Sequence, residues 1–270
     1  MQTLRLVNRR APAAWVAGVL AVAGTSSVAA QADLAATAQA KRAVMAFIVG
    51  TYGSECAKGR GHDMPVPRSG SPIAFGADGT ISWAGQAFNV TRAYVNEMAV
   101  SRSGGAFSSK IDIENEGNGE RIAVAGVTQP KGQSAGASVT VGDDAATAPF
   151  GLCQGAAPPG ASTPLWPTAA RLLGTASRTA SCVNMKGMTQ VRAEVAFDGG
   201  QLVVGPHKYA PAAAAAEEML SVGDGKGEIG YSFGTSAEMV IVTRPAGSKA
   251  RHFQVTPVSD PMAGFTCDVD

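Results

Sequence analysis

Histidine, cysteine and clustered charge are all scarce in this chain. Its three histidines are His62, His207 and His252, and none has a second candidate ligand at a spacing that metal sites use. The four cysteines, Cys56, Cys153, Cys182 and Cys267, include no pair at the short C-x-x-C reach of a zinc site. No D-x-D-x-D-G calcium loop is present, and the acidic doublets Asp143-Asp144 and Glu217-Glu218 read as a solvated turn and a helix face. Lysine and arginine form no run and alternate with no aromatic platform, and the net charge is +1, so nucleic acid has no electrostatic footprint to bind. No apolar stretch reaches the roughly 20 residues that span a bilayer. The sequence therefore calls for no metal, no cofactor, no nucleic acid and no stable membrane insertion.

What the chain does have begins at its N-terminus. Arg5, Arg9 and Arg10 precede the apolar run Ala11 to Gly24, and Ala30-Gln31-Ala32 follows as a small-x-small cleavage site. That is the layout of a secretory signal peptide, expected over residues 1–32, with the mature chain starting at Asp33 in the periplasm or outside the cell. No cysteine stands near the cleavage site to carry a lipid anchor. Loss of the signal leaves 19 basic against 21 acidic residues, a surface close to neutral.

The remaining chain repeats itself. Cys56 and Cys182, Phe75 and Phe197, Glu97-Met98 and Glu218-Met219, Ile111 and Ile229, and Cys153 and Cys267 occur in one order, at offsets of 126, 122, 121, 118 and 114. The offsets fall steadily, as they do when one copy of a duplicated unit has lost loop residues. The length suits two domains of about 100 residues each. The expected organisation is repeat 1 over 33–153, a proline- and glycine-rich linker over 154–167, and repeat 2 over 168–270. Two separate units would each keep a sheet of its own; one sheet running across the linker would contradict the duplication, and with it the disulfide scheme and the domain boundary.

Four cysteines allow three pairings. The bond both copies can make is first to last, Cys56 with Cys153 and Cys182 with Cys267, closing spans of 97 and 85 residues. Export to an oxidising compartment favours disulfides over thiols.

Alternating segments bounded by turn residues predict strands over Lys110 to Glu114, Arg121 to Val127, Ala137 to Val141, Val191 to Phe197, Met239 to Thr243 and His252 to Thr256. Helices are expected over Asp33 to Val49 and Pro167 to Leu173, with weaker ones over Asn89 to Met98 and Pro211 to Leu220. The fold class is mainly β with minor helix (α+β): two tandem repeats of one small antiparallel β domain, each closed by a first-to-last disulfide.

Residues that carry chemistry are few. Gly132-Gln133-Ser134-Ala135-Gly136 fits the serine-hydrolase G-x-S-x-G pattern, but it lies in a polar turn and runs into a strand where the nucleophile needs a helix. His62 sits in a loop after Cys56, from which a histidine can serve as general base or metal ligand, although a surface turn accounts for a lone histidine more simply. The duplication sets Glu97 beside Glu218 and Glu120 beside Glu238, either as contacts in two equivalent ligand sites or as the ion-pairing and capping residues of a common fold. Trp83 and Trp166 are not repeated, and Trp166, flanked by proline, is placed to pin the linker to a domain. The Asn89-Val90-Thr91 sequon carries no meaning in a bacterial-type chain. With no convergent nucleophile, base and oxyanion donor, the expectation is a non-catalytic binding or interaction protein of the cell envelope, an inhibitor or ligand-binding module whose partner is a protein or a small ligand. The alternative is a periplasmic hydrolase with its site at the interdomain cleft around His62.

Overall fold

The computed structural model describes residues 35–53, 71–133, 135–148, 152–154, 163–245 and 248–270. The signal segment, Cys56, His62, Ser134, Phe150 and most of the linker lie outside them.

The first half opens with helix α1 (35–45). Short strands β1 (Gly50–Tyr52), β2 (Ile73–Phe75), β3 (Thr80–Trp83) and β4 (Gln86–Asn89) follow, then the longer β5 (Val95–Ser103), β6 (Ala106–Glu114), β7 (Arg121–Gln129), β8 (Gly136–Val141) and β9 (Asp144–Ala148), and finally β10 (Leu152–Gln154). The second half runs α2 (Trp166–Leu173), β11 (Thr175–Asn184), β12 (Thr189–Phe197), β13 (Leu202–Val204) and β14 (His207–Tyr209), then β15 (Glu217–Gly223), β16 (Glu228–Gly234), β17 (Glu238–Pro245), β18 (Arg251–Pro257) and β19 (Phe265–Val269). The fold is thus mainly β with two helices, and all six segments expected to be strands are strands.

The strands form two sheets. One has the order β10-β1-β2-β3-β4, and the other runs β14-β13-β12-β11-β19-β18-β17-β16-β15-β5-β6-β7-β8-β9. In both halves the last strand returns beside the first: β10 pairs with β1, and β19 pairs with β11. Cys182 and Cys267 lie directly opposite each other in the second of these pairs and are joined by a disulfide. For the first pair, β10 carries Cys153 next to β1, but Cys56 is not among the described residues.

The larger sheet crosses from one half to the other where β5 pairs with β15, Val100 opposite Leu220. This contradicts the expectation that each half keeps a sheet of its own, and with it a duplication into two separate domains. The cause is edge chemistry: β5 and β15 each begin a meander, each would otherwise present unpaired backbone groups, and joining them removes both edges. The hydrophobic core is likewise one connected cluster drawn from both halves.

The seam also corrects the repeat alignment. Inward side chains on β5 are Met98, Val100 and Arg102, and on β15 Glu218, Leu220 and Val222, an offset of 120 where the Glu-Met pairs gave 121. A slip of one residue turns every side chain of a strand to the other face. Glu97 is therefore half-exposed while Glu218 is buried.

Two helix expectations fail for the same reason. Residues 211–220 form one 3-10 turn, Pro211–Ala214, and then β15; residues 89–98 form a turn and then β5. The alanine run favours helix locally, but the alternation of Glu218, Leu220 and Val222 has a strand's period of two, and pairing on both sides decides the outcome.

Candidate functional site

Glu218 is the most heavily bonded carboxylate among the described residues, and its partners assign its role. Arg102 Nη1 donates to its Oε2 at 2.6 Å, the backbone N–H groups of Leu165 and Trp166 donate to Oε2 and Oε1 at 2.9 Å each, and the Tyr231 hydroxyl donates to Oε1 at 2.7 Å. Helix α2 has no cap from its own sequence. Glu218 supplies one from a distant strand, satisfying N–H groups that would otherwise be buried without acceptors. Trp166 fixes the helix start: it is fully buried, its indole N–H donates to the Gly199 carbonyl at 3.0 Å, and its ring stands edge-on to Phe197 and Tyr231. Leu165 and Trp166, assigned from sequence to the linker, are thus core residues. Burial, and then the Glu218 charge, push the Tyr231 hydroxyl far above a tyrosine's ordinary value near 10. Every residue of this clamp is buried.

The other acidic candidates do not form equivalent pairs. Glu97 makes a 3.5 Å contact with Lys110 on the exposed face, beside Asp112, which is buried under a two-point contact from Arg121. Glu120 stands in the turn before β7, where the amides of Asn115 and Asn118 approach its carboxylate at 3.4 Å. Glu238 opens β17 and accepts the Tyr209 hydroxyl, with His207 Nδ1 3.0 Å from its other oxygen. That group fastens the edge strand β14 across to β17. His252 Nδ1 lies 2.9 Å from Asp268 on an exposed face. Among the described residues no group of three or more His, Cys, Asp or Glu side chains is placed to hold a metal ion, and no helix is long and apolar enough to cross a membrane.

Among the described residues a concave site lies where the two halves meet. A cavity of about 290 Å³ is lined by Thr37, Ala38 and Lys41 of α1, by the turn before β5, by Glu116 and by Asp224. Its back wall is an ion pair: Lys41 Nζ lies 2.5 Å from Asp224 Oδ2, with the lysine side chain 4% and the aspartate 21% exposed. Each partner is held from behind. The Ala93 carbonyl accepts from Lys41 Nζ at 3.3 Å, and the Val95 N–H donates to Asp224 Oδ2 at 2.8 Å. Asp224 reaches this position because Gly223 lets the β15–β16 turn settle on β5; a Cβ at Gly223 would lie 2.2 Å from the Asn96 carbonyl oxygen. The cavity is therefore a product of the β5–β15 seam.

Sequence reasoning missed Lys41, Arg102 and Asp224. Arg102 and Glu218 left a readable mark, since each is a charged residue at an inward position of an alternating strand. Lys41 and Asp224 left none, being 183 residues apart. Comparison of the chain with family models, with curated proteins and with solved structures returns no match.

Proposed function

We propose that this is an exported, non-catalytic binding protein of the bacterial cell envelope, and that the cavity between α1 and the β15–β16 turn is its ligand site. The observation that carries the reading is the pairing of a buried Lys41 with a part-exposed Asp224 on the wall of that cavity. Desolvation of the buried lysine offsets much of the attraction, so the pair adds little net stability. Here it faces open space: Nζ has three donors, of which Asp224 and Ala93 take two, and Asp224 Oδ1 has no partner among the described residues. Both groups can serve a small polar molecule.

Export is supported by the N-terminal signal pattern and by the Cys182–Cys267 disulfide, a bond kept in oxidising compartments. The reading includes two copies of one unit joined edge to edge, supported by the shared strand order and by the antiparallel seam between equivalent strands. It also includes a second disulfide between Cys56 and Cys153.

Native mass spectrometry of the protein released from the periplasm under non-denaturing conditions tests this reading. A bound small molecule that disappears in Ala38→Trp, which fills the cavity from α1, is the expected result. Retention of the molecule by a folded Ala38→Trp protein would sink the assignment.

A further inference from the structure

We propose that the cavity takes a small zwitterion, a free α-amino acid or a molecule with the same close pairing of carboxylate and ammonium. The inference rests on the binding reading above and specifies its ligand. The lining carries two cationic side chains, Lys41 and Arg92, and two anionic ones, Glu116 and Asp224. They are arranged in two layers. Lys41, buried, pairs with the part-exposed Asp224, and Arg92 and Glu116, both exposed, line the cavity from two separate turns.

A site with balanced charge disfavours a ligand of net charge, because any excess would lie beside an already paired lysine and aspartate with no counter-charge. A dipolar ligand matches both layers at once. Its carboxylate accepts the remaining Lys41 N–H and faces the Arg92 guanidinium; its ammonium donates to Asp224 Oδ1 and faces Glu116. Charge-assisted hydrogen bonds of this kind are the strong ones, and both ends are needed to engage the full set. Thr91 and Tyr94 also line the cavity. The volume, about 290 Å³, lies at the small end of ligand pockets, about 300 to 1,000 Å³, and suits a molecule of amino-acid size.

Isothermal titration calorimetry on the full mature chain tests this. The probes are glycine, alanine, leucine and glutamine, the half-blocked analogues N-acetylalanine and alaninamide, and glucose as an uncharged control. At least one free amino acid is expected to bind, with the half-blocked analogues weaker by about tenfold or more. Arg92→Gln and Glu116→Gln, both on the exposed rim, are expected to weaken binding by a similar factor while the melting temperature stays unchanged. Binding of alaninamide or N-acetylalanine as tight as that of alanine overturns the zwitterion assignment, and so does binding of glucose alone. If Ala38→Trp abolishes that binding, the cavity remains a ligand site. Heat from no probe up to about 10 mM overturns the assignment; the same silence with no molecule retained through native mass spectrometry overturns the binding reading too.

Discussion

Arg102 of the first half and Glu218 of the second sit opposite each other across the β5–β15 seam, guanidinium to carboxylate at 2.6 Å and both buried. The pair is asymmetric in what depends on it. Glu218→Leu removes the cap of α2, the Tyr231 acceptor and the carboxylate that Arg102 donates to, all at one buried position, so a loss of about 3 to 5 kcal/mol is expected. Arg102→Met leaves the carboxylate with three donors, the Leu165 and Trp166 amides and the Tyr231 hydroxyl, and is expected to cost distinctly less. Urea unfolding of both variants reads the difference, and an equal loss contradicts the capping role.

Alkaline pH is expected to destabilise the protein through its buried tyrosines. Burial raises the hydroxyls of Tyr52, Tyr209 and Tyr231, the last two with help from Glu238 and Glu218. Above pH 10 the unfolded chain releases these protons and the folded one keeps them, so their contribution is present below that pH and falls as pH rises. Each tyrosine adds a slope of at most about 1.4 kcal/mol per pH unit. Unfolding midpoints measured from about pH 8 to about pH 11, across the ordinary tyrosine value of about 10, should fall more gently in Tyr231→Phe. Parallel curves would remove Tyr231 from the account.

The Cys182–Cys267 bond joins strands 85 residues apart in sequence. Replacing both cysteines with alanine is expected to lower stability by about 2 to 5 kcal/mol, and reductant should act slowly on the native protein because both sulfurs are buried. Peptide mapping without reductant should recover this linkage together with Cys56 to Cys153. A Cys56–Cys182 peptide would contradict the first-to-last scheme.

Cutting the chain between the halves should not separate them. A specific protease site placed between Ala157 and Ala161 is expected to yield two fragments that elute together at the size of the uncut protein, held by the seam, the Arg102–Glu218 clamp and the Lys41–Asp224 pair. Fragments that elute apart would mean that the halves are independent domains.

Local pattern carried much of the fold. The strand over Arg121 to Val127 and the helix before Gly174 follow from alternation and from an early proline, which depend on neighbours in sequence. The seam follows from no such signal, because an edge strand looks the same in sequence whether its neighbour is water or another strand. The cavity was hidden for a related reason: Lys41 reads as one more polar residue in an alanine-rich helix, and Asp224 as one more turn residue in Asp-Gly-Lys-Gly. Glu218 was singled out by similarity to Glu97, yet its importance comes from Arg102 and α2, to which Glu97 has no counterpart.

The seam also sets a clock on the chain as it is made. Arg102 and its partner Glu218 are 116 residues apart, and a ribosome adds about 5 to 20 residues per second, so roughly 6 to 23 seconds separate their synthesis. Throughout that interval β5 has been made and the strand that covers its edge has not. A newborn first half that folded early would offer a nine-residue edge to any other extended chain nearby, including the first half of a second molecule. Keeping the chain unfolded until its end has emerged, as passage through a membrane pore requires, would close that window.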